Sequence, residues 1–248
     1  MLDRAFKAVE SMLERSGYGL AIGVIDQAFL EFQLHAAKKR YPNPEFDPTL
    51  HDLDDGNSFW VRLTDREGST VAVVAGRRCE IDGLLRVCES YELWYGDKIR
   101  FSEPLEIVYR QEDRLPRGLC AYDGAMWIRP DHRTRGLPWA LGRLSRLTSI
   151  RRWEPEWIFG FAFEHVTGSR LLTAYYGYPY HALFATGFKF PGHPDHSLHL
   201  ATMTRAEALL GVAADLEELT ARPDLVFDRA FAQELKEQGT REPRRPSV

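Results

Sequence analysis

Apolar residues at Ala5, Phe6, Val9, Met12 and Leu13 keep helical spacing up to Gly17, which predicts an opening helix. A second helix is predicted from Val24 to Arg40, with apolar positions at Ile25, Phe29, Phe32 and Ala36. Three prolines between Tyr41 and Thr49 forbid its continuation. Strand-like runs then take over. Phe59–Leu63 and Thr70–Ala75 read as the two arms of a hairpin around the turn Thr64–Ser69.

From Gly76 to Gly118 the pattern weakens, with a helical stretch at Leu84–Tyr95 and a strand at Leu105–Arg110. The stretch exceeds an ordinary connection and reads as an insertion. The pair Asp123-Gly124 suits a turn ahead of a short apolar strand, Ala125–Ile128. That strand leaves through Arg129-Pro130 into a basic loop, Arg133-Thr134-Arg135-Gly136. A helix carrying Leu137, Ala140, Leu141, Leu144 and Leu147 follows. Trp157–Phe163 reads as a fully buried strand. Next come a helix over Gly168–Tyr176, a closing segment at Phe184–Phe188 and a last strand at His199–Met203. Residues 207–218 predict an added helix, and 238–248 a frayed, charged tail. There are no internal repeats.

The 248 residues suit a single domain, with helices and a Pro-rich loop over 1–58, a core over 59–204 and a helical region over 205–237. A hydrophobic content of 44% indicates a globular chain. A net charge of −4 argues against bulk nucleic acid as the main partner. The pattern has neither a secretory leader nor a membrane span, and Cys79, Cys88 and Cys120 suit a reduced, cytoplasmic setting.

A loop of exposed amides feeding a helix start is an anion site, because those N–H groups lack intrahelical partners and the helix dipole favours negative charge. The segment Arg133-x-x-Gly136-x-Pro138 resembles the pyrophosphate motif (Q/R)-x-x-G-x-(G/A) of the GNAT acyltransferases, with the third position replaced by proline. Proline fits the first turn of a helix but withdraws one N–H. The hairpin at Gly68–Ala72 and the segment Phe184–Phe188 resemble further parts of that family, and its order of elements spans roughly residues 59–204.

The resemblance implies a mixed, mostly antiparallel twisted sheet flanked by helices. It implies acyl transfer from a coenzyme A thioester, acetyl or longer, to an amine on a small molecule or protein. Arg133, Thr134, Arg135, Gly136 and Leu137 would hold the pyrophosphate, and backbone amides of Met126, Trp127 and Ile128 would polarise the thioester carbonyl. Tyr176, with Tyr175 close behind and Tyr178 and Tyr180 nearby, would supply the proton to the thiolate. Asp123 and Glu164 are the candidate bases, since partial burial raises a carboxyl toward working pH. As plain structure, the tyrosines are core residues with one wet end and the carboxylates are caps or turns.

Three alternatives stay open. Arg143, Arg146, Arg151 and Arg152 either complement the dipole of their helix or meet the adenosine 3′-phosphate. Trp94, Tyr95 and Phe101 either line an acceptor pocket or form the insertion's own small core. His193, His196 and His199 fall at three-residue intervals, yet their Pro-rich setting favours a loop entering a strand over a metal site, and no metal is expected. A coenzyme-binding or regulatory module without catalysis is the rival reading, a chance match within another sheet-and-helix family is a third, and a homodimer is compatible with either of the first two.

Overall fold

The opening helix stands where the periodicity puts it. In the computed structural model, which describes residues 1–38, 41–167, 171–189 and 196–240, α1 (Leu2–Arg15) buries Ala5, Val9, Met12 and Leu13. Gly17, at φ 80°, lets the Tyr18 N–H reach back to the Leu13 carbonyl at 2.9 Å, the closure of a glycine-capped helix. The second predicted helix is shorter than expected. A strand not expected from the pattern, β1 (Gly19–Gly23), precedes it, its first residues Val24–Asp26 form a loop, and α2 (Gln27–Glu31) starts only where Asp26 accepts the Phe29 N–H. One π-helical turn extends it to Ala36.

The hairpin forms as β2 (Ser58–Thr64) and β3 (Thr70–Ile81), with β3 running well past the predicted Ala75. The expected insertion contracts accordingly. Its single helix is broken into α3 (Leu84–Glu89) and α4 (Glu92–Tyr95) by Tyr91, at φ 61°, and its strand shrinks to β4 (Glu106–Ile107). Trp94 and Tyr95 are buried and Phe101 stacks on Tyr91 at 4.1 Å, so the insertion's aromatics form a packed layer.

β5 (Gly118–Ile128) also exceeds its prediction: Asp123-Gly124 is no turn but the middle of the strand, paired opposite Gly76 and Ala75. Then come α5 (Leu137–Trp153), β6 (Trp157–Phe163), α6 (Glu164–Thr167), α7 (Leu171–Ala174), β7 (Tyr180–Phe188) and β8 (His196–Thr204). A Thr204–Glu207 capping box opens α8 (Arg205–Ala221). A second helix in the helical region expected over 205–237, not delimited from the pattern, is α9 (Arg229–Thr240), which buries Phe231, Ala232 and Leu235.

Among the described residues the strands form one eight-stranded sheet in the order β1-β2-β3-β5-β6-β8-β7-β4. Every neighbouring pair is antiparallel except β5 with β6. One face packs on α1, α5, α8 and α9 through Leu137, Leu141, Ile158 and Met203. The other packs on α3 and α4 through Tyr91, Trp94, Phe159 and Phe184. This is the mixed, mostly antiparallel, helix-flanked sheet that the sequence leads one to expect. No helix among the described residues is long and apolar enough to cross a membrane.

Candidate active site

The cleft begins where the one parallel pair comes apart. β5 and β6 are in register only from Cys120–Trp157 to Tyr122–Phe159. Past that point β5 bulges away: its register with β3 shifts between Val73 and Ala75, and Ala125 takes φ 51°. At the vertex sits Gly160, where an added Cβ would lie 2.6 Å from the Asp123 carbonyl oxygen. Glycine therefore permits the closest approach of the two strands just before they diverge. A cavity of about 150 Å³ fills the wedge, with walls that include Met126, Ser145, Phe161, Ala162, Tyr176 and Tyr178.

Backbone alternation decides which amides face this gap. The Arg129 N–H donates to the Val71 carbonyl at 2.8 Å, on the β3 side. Trp127, opposite Val73, shares that orientation, so the N–H groups of Met126 and Ile128 point away from β3 and toward β6. Of the three residues proposed from sequence to polarise a carbonyl, Trp127 is thus turned the wrong way.

Asp123 lies at the apex among polar side chains from α5 and the turn before β7. Burial pushes its carboxyl up to about 7, against the opposing pull of Ser145, Arg146, Tyr178 and Ser149. Asp123 Oδ1, the Oγ atoms of Ser145 and Ser149, the Tyr178 hydroxyl and Arg146 Nε are all buried without a completed hydrogen bond. Arg146 itself is anchored: its Nη2 donates to the carbonyls of Tyr176 at 2.9 Å and Gly177 at 3.0 Å.

The other arginines of α5 are spent on the fold. Arg143 donates to both carboxylate oxygens of Asp215 and to the Tyr175 carbonyl at 2.6 Å, with its guanidinium 4.4 Å from the Trp139 ring centre. Arg151 pairs with Asp3 and Arg152 with Asp55.

The candidate acids separate cleanly. Tyr176 lines the cavity, and burial pushes its phenol up to about 12. Tyr175 does not: its hydroxyl donates to the Ala232 carbonyl at 2.9 Å, which removes it from the list of proton donors. Tyr180 bonds Gln111 on the sheet's far edge. Glu164 is exposed at the start of α6 and is absent from the cavity wall, so Asp123 is the carboxylate that the fold brings to the cleft.

Beyond β5, the basic loop bends through Thr134 (φ 65°) and Gly136 (φ 81°) into α5. Among the described residues the N–H groups of Thr134, Arg135, Gly136 and Leu137 donate to no protein atom. Successive free amides with left-handed residues between them form an anion-binding nest. Pro138 occupies the first turn without disturbing it, since the Trp139 N–H still reaches the Gly136 carbonyl at 2.9 Å. Arg133, Thr134 and Arg135 are exposed, and neither arginine forms an ion pair among the described residues. The donor set fits a pyrophosphate.

The histidines stay apart from this cleft. His196 packs on Phe163 at 4.6 Å between ring centres, His199 faces His181 at 6.4 Å, and His193 lies outside the described residues. Among the described residues no group of three metal-binding side chains converges. Sequence reading overlooked Ser145 and Ser149. Their signal was present as a helical stripe of small or polar residues, Gly142, Ser145, Arg146 and Ser149, on an otherwise apolar helix.

No protein-family model matches the chain, and no curated protein matches it in sequence. Solved structures do match in shape. NAA60 from Arabidopsis thaliana in complex with acetyl-CoA aligns with TM-score 0.46 and 14% identity, over 75% of this chain and 98% of that one. The dodecameric spermidine N-acetyltransferase from Vibrio cholerae aligns with TM-score 0.47 and 11% identity, over 77% and 96%. Likeness at this level describes the arrangement of strands and helices. The chemistry has to come from the cleft.

Proposed function

We propose that the protein is an N-acyltransferase that moves an acyl group from a coenzyme A thioester to a primary amine of a small molecule or protein. The observation that carries this reading is the wedge between β5 and β6. The cavity ends on β5 at Met126, and the same strand leads on through Ile128 to the amide nest at the start of α5, an order that suits one elongated ligand with an anionic end.

A coenzyme A thioester would supply the activated acyl carbon. Arg133, Arg135 and the N–H groups of Thr134 to Leu137 bind its pyrophosphate by charge-assisted hydrogen bonds. The N–H groups of Met126 and Ile128 face the gap and stabilise negative charge on the acyl oxygen. As the amine nitrogen bonds to the acyl carbon, Asp123 takes the proton the nitrogen sheds. A carboxyl near 7 is matched to that task. The carbon–sulfur bond breaks, and Tyr176, held protonated by burial, gives its proton to the departing thiolate.

Titration calorimetry with coenzyme A and acetyl-coenzyme A, repeated on Arg135→Ala, tests the binding half. Tight binding that weakens about tenfold or more in the variant supports it; absence of binding to the wild type overturns the whole reading. Thioester turnover with a panel of amines tests the other half. Binding without turnover would favour a non-catalytic coenzyme A-binding module, the reading that the proline in the nest favours by withdrawing one N–H.

A further inference from the structure

α9, a helix whose bounds the sequence pattern did not give, packs behind both walls of the cleft. On one wall, a Cβ on Gly136 would lie 2.6 Å from the Phe231 ring and 3.5 Å from the Phe227 ring, so α9 rests directly on the back of the nest. Phe231 also stands edge-on to Trp139, in the first turn of α5, with ring centres 5.7 Å apart. On the other wall, the Tyr175 hydroxyl donates to the Ala232 carbonyl, one residue further along α9. That tyrosine precedes Tyr176 and Tyr178, which line the cavity.

α9 is itself anchored from outside the cleft. Both guanidinium ends of Arg222, just past α8, donate to the Glu234 carboxylate at 2.6 and 2.8 Å. The Phe227 N–H donates to the Ser16 hydroxyl at 2.7 Å, which ties the approach to α9 to the end of α1. The nest is therefore asymmetric: Gly136 is buried against α9, while Arg133, Thr134 and Arg135 face outward.

We infer that α9 is a strap along the back of the cleft. It fixes the first turn of α5 relative to the Tyr175–Tyr178 turn, and its docking is thermodynamically coupled to coenzyme binding. The inference rests on the acyl-coenzyme A reading above. Phe231 is a positioning residue: it touches no ligand but holds Gly136 at the backbone conformation the nest requires. Coupling is reciprocal. Loosening α9 weakens the coenzyme, and the coenzyme tightens α9.

The test is calorimetric titration of coenzyme A into the wild type, Phe231→Ala and Leu84→Ala, together with hydrogen exchange of α9 amides in the wild type with and without coenzyme A. Leu84 is buried in α3 on the opposite face of the sheet and serves as a control for general destabilisation. The expected result is an affinity about tenfold lower in Phe231→Ala, near-wild-type affinity in Leu84→Ala, and slower exchange at Phe231–Leu235 when coenzyme A is bound. Equal affinities in wild type and Phe231→Ala, or α9 exchange unmoved by the coenzyme, overturn the strap and leave the acyl-coenzyme A reading standing. An equal loss in both variants also overturns it. No binding to the wild type overturns both together.

Discussion

Two buried polar clusters flank the same strand, and they are finished to different degrees. On the α3–α4 face, Arg77 donates to His51 Nδ1 at 3.1 Å and to the Leu93 carbonyl, His51 Nε2–H donates to the Trp94 carbonyl at 2.8 Å, and Trp94 Nε1–H donates to the Tyr122 hydroxyl at 3.1 Å. On the α5 face, Asp123, Ser145, Ser149 and Tyr178 crowd together with their oxygens uncommitted. Leaving a buried polar atom unpaired costs roughly 1–3 kcal/mol. The first network is closed except at Arg77 Nε, whereas each of Asp123, Ser145, Ser149 and Tyr178 keeps a buried polar atom without a completed hydrogen bond, so the second set is the one with capacity left for a ligand. The first cluster is scaffold; the second is where chemistry is to be sought.

The largest effect that would break this contrast is on rate. Asp123→Asn keeps the shape of the apex and removes its proton acceptor. Turnover should fall about 10²- to 10⁴-fold, coenzyme A affinity should hold, and the rise of activity with pH centred near 7 should vanish. A steady-state pH profile measured beside calorimetry checks this; a variant that turns over at the wild-type rate removes Asp123 from the mechanism. Next in size is a stability effect on the opposite face. Arg77→Leu strands the His51 ring nitrogen and the Leu93 carbonyl, and should cost about 3 kcal/mol in urea unfolding, while the surviving folded protein still binds coenzyme A with wild-type affinity.

Local elements were far easier to see in the sequence than either cluster. α1, the β2–β3 hairpin, β6 and the start of α5 announce themselves because their patterns are local: Met12 and Leu13 ahead of Gly17, or an unbroken Trp157–Phe163. β1 was hidden because glycines bracket its short apolar run, and only pairing with β2 makes it a strand. Asp123-Gly124 misled for the opposite reason. Its local chemistry favours a turn, and pairing with Gly76 and Ala75 overrides it. The basic loop was legible as an anion site. The apex was not, because its members come from residues 123, 145–149 and 178, and no periodicity within one segment records that meeting.

A third prediction sets the two clusters against each other through pH. Asp123 has its folded-state pKa raised from an ordinary 3.8 to about 7, so between those values the native protein holds more protons than the unfolded chain, and its contribution to stability falls as pH rises. His51 goes the other way. Burial and the Arg77 charge push it from 6.5 to about 4, so the unfolded chain holds more protons there and stability rises with pH over that window. Between about pH 4 and 6.5 the two slopes oppose. Asp123→Asn should leave unopposed the rising slope of His51, at most about 1.4 kcal/mol per pH unit, to which the lowered pKa values of His132, His181 and His199 add with the same sign. Melting temperatures at half-unit pH steps, compared between wild type and variant, read the difference; parallel curves would mean that Asp123 does not carry a raised pKa.

The finest discrimination comes from two phenols, one on each face. Tyr122 is committed: Trp94 Nε1–H donates to its hydroxyl, and its ring stacks on Phe159 at 4.9 Å. Tyr122→Phe keeps the stacking and leaves a buried indole N–H without an acceptor, so it should cost about 1–2 kcal/mol. Tyr178 is also buried, and its hydroxyl meets no partner other than the Asp123 carboxyl and the Arg146 charge of the open apex. Tyr178→Phe removes a hydroxyl that meets only the open apex and strands no buried donor, so unfolding free energy should change by less than about 0.5 kcal/mol. What should move instead is Asp123. The Tyr178 hydroxyl lowers the carboxyl's pKa, so removing it raises that pKa further and carries the midpoint of the activity profile above 7. Equal stability losses in the two variants would mean the α5-face cluster is as much scaffold as its counterpart; a neutral Tyr178→Phe with a displaced midpoint would mean that its hydroxyl tunes the apex and does not support the fold.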